Sequence, residues 1–413
     1  MAIYKGNTKI VKLYKGSTEI VRRYKGTNLI YQNSLLPSGY IECEYLEATG
    51  SQYLDTWYAP NQNTKVETTI NVLSHNGSVI NYLFGAYDSS RSFAIYYSYN
   101  QLDWGVMCGS VDSNTSVSYQ SNVKQKLEFD KDYLSINGTN VYNVGSTTTF
   151  TSTRTMYLFW GNGTSRLKSI SRIYDFKIYE NGNIVMNLIP CLDPSGVPCM
   201  YDTISRTTFY NAGTGQFTYQ VKLPNGYTGC EYLESTGTQY IDTGYYATNT
   251  SGINIDYAYT AEGNAGLCGI FQGQAPRTDT LFITTLNGQT STEIYLISQG
   301  AEATNNTPPG IGTKHNAKIN YFNNGKLIID DGRQWNNGTN GVVSSRTIKL
   351  FCRDNGGNLA YTNARIYISL MSEGGNLVRH FVPCLDNNNV PCMYDAVEKQ
   401  TYYNAGTGTF NYN

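Results

Sequence analysis

Few residues in this chain are typed and spaced for making or breaking covalent bonds. Glycosidic cleavage needs two carboxyl groups roughly 5–10 Å apart across the scissile bond. The candidates are Glu42 with Glu44, Asp330 with Asp331, and Asp256. Glu42 has Gly229 as its counterpart in a second copy of the same sequence pattern, so the first pair is not repeated. Asp330 and Asp331 are adjacent, and on an extended segment they point to opposite faces. The three histidines, His75, His315 and His380, are scattered and unmatched, and none has the partners that a Ser-His-Asp triad or a zinc site requires. His380 precedes Phe381-Val-Pro-Cys and reads as an ordinary strand residue. The nine cysteines are an odd number and too few for a disulfide scaffold. Cys191 and Cys199 flank Leu-Asp-Pro-Ser-Gly-Val-Pro, and Cys384 with Cys392 repeats the spacing. A hairpin there would bring each pair within bridging distance. Cys43 and Cys230 are also matched, whereas Cys108, Cys268 and Cys352 are not. Buried reduced thiols are the favoured reading, with no third or fourth ligand for zinc. No Asp/Asn loop has calcium-ligand spacing. The expectation is a chain with no catalytic residue, metal or cofactor.

Aromatic residues offer a better-founded chemistry. Sugar rings stack on aromatic faces while Asn, Asp and Gln read their hydroxyls. The candidates are Trp335, Trp57, Tyr58, Trp104, Tyr245 and Tyr246, the last two aligned with Trp57 and Tyr58. Trp335 lies between Asp-Gly-Arg-Gln and Asn-Asn-Gly, a loop-like setting. Trp160 reads as core, because Leu158-Phe-Trp160 is strand-like and its counterpart ends in Cys352.

The elements that must position these side chains are β-strands. The 413 residues include 37 tyrosines and 40 glycines, and only 15% are charged, with a net charge of −1. Tyr and Thr suit pleated, half-buried surfaces, while Gly and Asn supply turns. Near-neutral charge excludes a global preference for nucleic acid or membrane. Alternating patterns are legible at residues 65–72, 172–179 and 252–259, and Asn-Gly turns at Asn137-Gly138, Asn181-Gly182, Asn287-Gly288 and Asn324-Gly325. No segment combines helix caps with a 3.6-residue apolar period. Met-Ala-Ile-Tyr-Lys-Gly lacks the apolar core of a secretory leader, and no apolar run of about 18 residues is present to span a membrane.

The first 32 residues have their own ten-residue period, in Tyr4-Lys5, Tyr14-Lys15 and Tyr24-Lys25, and predict a small β-meander of three or four short strands. Seven cations, Arg22 and Arg23 among them, face the single acid Glu19, leaving the segment basic on a mildly acidic body. So small a sheet needs a partner. Tyr4, Lys5, Tyr14, Lys15, Arg22, Arg23, Tyr24 and Lys25 are its candidate anchoring residues, against the plainer reading of a solvated strand face.

Beyond a short linker the sequence is written twice. Glu-Tyr-Leu-Glu-Ala-Thr-Gly-Ser-Gln-Tyr-Leu-Asp-Thr at residues 44–56 returns as Glu-Tyr-Leu-Glu-Ser-Thr-Gly-Thr-Gln-Tyr-Ile-Asp-Thr at 231–243. Each copy closes on Pro-Cys-Leu-Asp, then Val-Pro-Cys-Met-Tyr-Asp, then Tyr-Asn-Ala-Gly-Thr-Gly. This predicts an anchor and linker over 1–36 and two domains over 37–219 and 224–413. These motifs resemble the concanavalin A-like, laminin-G-like jelly-roll domains of virion proteins from gut-bacterial tailed phages. The resemblance implies an all-β chain: a small N-terminal β-meander followed by two tandem antiparallel jelly-roll β-sandwiches. It further implies a structural protein of the phage virion, a head or tail fibre or a decoration protein, that binds and does not turn over. Assembly in the bacterial host cytoplasm, contacts with other virion proteins through residues 1–36, a homotrimer, and adhesion to host-surface or mucin glycans follow as expectations. No nucleic acid or membrane partner is expected. The rivals are a bacterial cell-surface lectin or adhesin, and a glycoside hydrolase or lyase on the same scaffold.

Overall fold

The computed structural model describes residues 35–413 except 78, 99, 101, 164, 249, 262–264, 272–280, 287–292, 299–300, 306–310, 321–325, 330–332 and 337–344, together with the backbone of short strands within 1–32. Side chains are described outside 1–34, 265, 270–310, 319–344 and 355 as well. Two compact units result, residues 1–193 with 197–220, and residues 194–196 with 221–413.

The first unit is a pair of opposed sheets. One runs, edge to edge, through Thr139–Asn143, Tyr133–Ile136, Lys124–Phe129, Thr64–Ser74, Ile170–Glu180, Ile41–Thr49, Asn183–Leu192, Pro198–Asp202 and Thr208–Tyr210. The other runs through Val111–Ser118, Asp103–Gly109, Ser92–Tyr97, Asn81–Ala86, Tyr157–Leu158 and Leu54–Asp55. The inner faces of both contribute to one core that includes Leu46, Ile70, Phe84, Phe93, Trp104, Phe129 and Phe176. In the second unit, Ser251–Tyr259 and Asn363–Glu373 pair at the centre of the large sheet, as Thr64–Ser74 and Ile170–Glu180 do in the first. Ile170–Glu180 and Asn363–Glu373 even bury alternate residues in the same sequence, including one break in alternation where the register shifts. These are antiparallel jelly-roll sandwiches, and among the described residues the only helical element is the 3-10 turn Ser89–Arg91.

Turn chemistry follows the sequence. Asn137-Gly138 and Asn181-Gly182 take positive φ at both positions, the geometry of a tight hairpin. Asn287-Gly288 and Asn324-Gly325 lie outside the described residues. At the N-terminus the expected single meander is replaced by three separate strand pairs: Tyr4–Lys5 with Thr8–Lys9, Leu13–Lys15 with Thr18–Ile20, and Arg22–Lys25 with Asn28–Gln32. Each ten-residue repeat spends its strand residues on a local partner. The side chains of the anchoring candidates, Tyr4, Lys5, Tyr14, Lys15, Arg22, Arg23, Tyr24 and Lys25, lie outside the described residues.

One interior difference between the copies has a consequence for pH. The Asn187 N–H donates to Asp202 at 2.8 Å, and the His380 N–H donates to Asp395 at 2.9 Å, so His380 stands where the first unit has Asn187. His380 is fully buried, and burial pushes its imidazole down to about 3. Between that value and the unfolded value near 6.5, the unfolded chain binds a proton that the folded chain refuses, so stability falls as pH drops through this window. Burial raises the Asp395 carboxyl and acts in the opposite sense, so the comparison with a variant isolates the histidine. His380→Asn removes an acid penalty on the order of 3 kcal/mol between pH 6.5 and 4. Denaturant unfolding of both proteins at the two pH values measures it, and parallel losses would refute it.

Candidate functional site

The aromatic candidates are divided between the two units: Trp57, Tyr58 and Trp104 in the first, Tyr245, Tyr246 and Trp335 in the second. Trp104 is fully buried with its ring edge-on to Tyr97 and Tyr119, so it fills the core and offers no face to a sugar. Tyr58 is half-buried with its hydroxyl on Thr64 at 2.9 Å, and Tyr245 is buried with its hydroxyl on Ser251 at 2.6 Å. These two match each other, which corrects the alignment by one residue: Tyr58 answers Tyr245, and Trp57 answers Gly244. Tyr246 is exposed. Trp335 lies on the strand Arg333–Asn336, opposite Leu327, and not in a loop; its side chain is outside the described residues.

Trp57 is the outlier. It is 66% exposed, its ring lies 5.0 Å from that of Phe209, and its backbone is left-handed at φ +57. Gly244 has φ +64 in the same surroundings. The Trp57 N–H donates to Asp55 as the Gly244 N–H does to Asp242, and the hydroxyls of Thr56 and Thr243 hold the carbonyls of Met156 and Ile348. A left-handed conformation costs a residue with a Cβ about 1–2 kcal/mol. An exposed tryptophan therefore stands at that cost where the copy uses glycine.

The strongest grouping centres on Trp160, which the sequence assigns to the core. The strand ends at Leu158, and Phe159 adopts φ +64 with its N–H on the Leu83 carbonyl at 2.7 Å. That turn sends the Phe159 ring into the core and leaves Trp160 partly exposed. Its ring lies 5.1 Å from Tyr53 and 5.9 Å from Tyr157, while Tyr53 and Tyr157 stack at 4.8 Å. Cross-strand pairing of Tyr157 with Asp55 and Leu158 with Leu54 sets this arrangement. The Lys168 ammonium sits 4.3 Å from the Trp160 ring centre and 5.6 Å from that of Tyr53.

A cleft adjoins this platform. The Trp160 indole N–H donates to the Arg166 carbonyl at 2.8 Å, and Arg166 and Leu167 form one wall of an opening of about 700 Å³. Val79 and Ile80 add apolar surface, while Ser98, Asn100, Asn114 and Ser165 add hydroxyl and amide groups. Below it, the Tyr96 hydroxyl reaches Asp112 and Asn114 at 2.9 and 3.3 Å, and burial pushes that phenol up. A stacking face beside a polar and apolar cleft suits a ring-shaped, hydroxyl-rich ligand.

The second unit does not repeat the platform. Tyr240 and Tyr361 stand at the positions of Tyr53 and Lys168, but Lys349 replaces Tyr157 and Cys352 replaces Trp160. Lys349 is buried between Asp242 and Asp354 at 3.3 and 3.4 Å, an ionic filling in place of a stacking face.

Among the acid and histidine candidates, Glu44, Asp256, His75 and His315 have local partners. Glu44 pairs with Lys124 at 3.0 Å, and Asp256 pairs with Lys314 at 3.2 Å. Glu42 lies on the same strand as Glu44, and Asp330 and Asp331 are outside the described residues. His75 contacts the Tyr119 hydroxyl, and His315 packs 6.0 Å from the Tyr257 ring. Among the described residues, no three of His, Cys, Asp and Glu gather as a metal site requires.

The fold is a tandem pair of antiparallel jelly-roll sandwiches, with a partly exposed aromatic cluster on the first that the second lacks. No family model and no curated protein matches the chain. Among solved structures, domains LG4-5 of the mouse laminin alpha1 chain are similar over 84% of this chain and 96% of that one, at 13% identity and a TM-score of 0.29. So distant a likeness leaves function to the residues themselves.

The two tryptophans separate by stability. Trp57→Gly changes unfolding free energy by no more than about 1 kcal/mol, because relief of the left-handed backbone offsets glycine's extra unfolded freedom and the lost Phe209 contact. Trp104→Ala costs about 3–5 kcal/mol. Urea unfolding of both variants measures the contrast, and a Trp57 cost equal to that of Trp104 would make Trp57 a packing residue.

Proposed function

We propose that this protein is a non-enzymatic adhesion protein that holds a glycan on its first sandwich. The observation that carries the reading is the Tyr53–Tyr157–Trp160 platform, joined through the Trp160–Arg166 hydrogen bond to a cleft lined by serine and asparagine. Aromatic faces take the apolar side of a sugar, and the amides and hydroxyls select among its hydroxyl groups. Trp57 is a further exposed aromatic on the same unit. Binding without turnover fits Glu44 and Asp256, each of which is held by a lysine.

The setting we propose is a phage virion, assembled in the host cytoplasm, in which residues 1–36 attach the chain to other virion proteins or to sibling chains in a homotrimer. This reading rests on the resemblance of the sequence motifs to jelly-roll virion proteins and on the basic ten-residue repeat at the N-terminus. A bacterial surface lectin would share the sandwich and the platform and differ in where the chain is found.

Two experiments test these parts separately. On a glycan array, Trp160→Ala weakens binding by about tenfold or more, corresponding to roughly 1.4 kcal/mol, while urea unfolding shows the variant folded; undiminished binding would remove the platform from the site. Deleting residues 1–32 lowers incorporation into purified particles while glycan binding by the free protein persists. Full incorporation of the truncated chain would defeat the anchoring role.

A further inference from the structure

Each sandwich contains two thiols held directly across an antiparallel strand pair. Cys191 is in register with Cys199, and Cys384 with Cys392. The sulfur atoms are 3.6 Å apart in both units, and all four residues are buried free thiols. Residues facing each other in an antiparallel ladder have Cα atoms about 4.5–5.5 Å apart, inside the span that a disulfide accepts. Rotation of the two side chains is therefore enough to bring the sulfurs to bonding distance.

The hairpins that present these thiols are braced alike. At the base of the first turn the Asp193 N–H donates to the Val197 carbonyl at 3.0 Å, and the Asp193 carboxylate takes the Val197 N–H at 2.9 Å and the Tyr210 hydroxyl at 3.0 Å. At the second, Asp386 makes the same three contacts with Val390 and Tyr403 at 3.1, 2.9 and 2.9 Å. Such bracing fixes the strand ends and hence the sulfur separation. Core packing alone calls for small apolar residues here and gives no reason for cysteine to face cysteine twice.

We propose that Cys191–Cys199 and Cys384–Cys392 are paired oxidation sites, each closing to a disulfide when the protein meets a disulfide-bearing oxidant. The exchange is balanced. One cysteine thiolate attacks the oxidant's S–S bond and expels one thiolate, leaving a mixed disulfide. The facing cysteine then attacks the protein sulfur of that mixed disulfide and expels the second thiolate. Two protein S–H bonds are lost, one S–S bond forms, and the two protons pass to the released thiolates. The thiol–thiol contact, and after it burial, hold the Cys191 and Cys384 thiols well above their ordinary range, so the native hairpin reacts slowly and a briefly opened one reacts fast. The sandwiches would thus fold with thiols in a reducing compartment and become cross-linked afterwards.

The test uses the full chain with oxidised glutathione at mildly alkaline pH, in one arm native and in a second arm refolding from denaturant. Each sample is then unfolded, alkylated and mass-analysed by peptide. The expected product has lost the mass of four hydrogens, with Cys191, Cys199, Cys384 and Cys392 unlabelled and the other five cysteines labelled. Dithiothreitol restores labelling at all nine. Cys199→Ser and Cys392→Ser each halve the mass loss, and the doubly bridged protein melts at a higher temperature than the reduced one. Nine labelled cysteines in both arms would overturn the proposal, as would bridges that engage Cys43 or Cys230 in place of the facing pairs.

Discussion

A buried amide fastens each sandwich, and the rest of the unit hangs from it. Gln52 is 3% exposed; its side-chain oxygen takes the Thr49 N–H at 2.8 Å, and its nitrogen donates to the Gln216 carbonyl at 2.8 Å. Asn211 completes the clasp by accepting the N–H groups of Tyr53 and Gly213 at 3.1 and 2.9 Å and donating to the Gly215 carbonyl at 2.8 Å. Gln239 and Asn404 repeat these contacts with Thr236, Thr409, Tyr240, Gly406 and Gly408. Each buried group left unsatisfied at Gln52 or Gln239 would cost about 1–3 kcal/mol, so this amide controls a sizeable share of a sandwich's stability. The close approach needs glycine: a Cβ on Gly213 would lie 2.2 Å from the Ser51 carbonyl oxygen, and one on Gly406 2.1 Å from that of Thr238. This clasp explains why the repeated words lie at the two ends of each copy. They are the two halves of one hydrogen-bonded closure.

The clasp also connects fold to function. Tyr53, whose N–H is held by Asn211, immediately precedes the short strand that pairs Leu54 with Leu158 and Asp55 with Tyr157. The stacked rings of Tyr53 and Tyr157 are therefore set by backbone contacts that both copies retain, and only the side chains placed on that backbone differ. The second unit uses the same kink, with Phe351 at φ +65 and its N–H on the Leu267 carbonyl at 2.7 Å, yet follows it with Cys352. One scaffold position thus carries either an aromatic face or a buried lysine between two carboxylates.

The sandwich was legible because its signals are local. Period-two alternation in residues 65–72, 172–179 and 252–259 and the Asn-Gly turns depend on neighbours a few residues away. The site was less legible because its placement depends on a single backbone dihedral. Nothing in Tyr-Leu-Phe-Trp announces that Phe159 is left-handed, so extended alternation assigns the next side chain wrongly. For Trp104, the residue type suggested a contact surface, but the rings of Tyr97 and Tyr119 close around it in the core. The usable clue was the mismatch between copies. Trp160 against Cys352 was visible by alignment, and Trp57 against Gly244 emerges once that alignment is moved by one residue; at both positions the two copies differ in a ring the first unit leaves partly or largely exposed.

Duplication supplies an internal control for separating these roles. On the outer face of each large sheet, Arg172 pairs with Glu47 at 2.6 Å and lies 4.3 Å from the Tyr45 ring centre, just as Arg365 pairs with Glu234 at 2.6 Å and lies 4.5 Å from that of Tyr232. Lys124 over Tyr174 at 3.9 Å and Lys314 over Tyr367 at 4.5 Å extend both ladders. Such rows of cations and rings resemble a recognition surface, but their exact recurrence argues that they stabilise the sheet, each contact contributing about 0.5–1 kcal/mol at an exposed site. The platform at Trp160 is built from the same kinds of residue and lacks a copy. Residues that both halves keep serve the sandwich they share, and an aromatic cluster present in only one half calls for a reason outside the sandwich, which the proposed sugar ligand would supply.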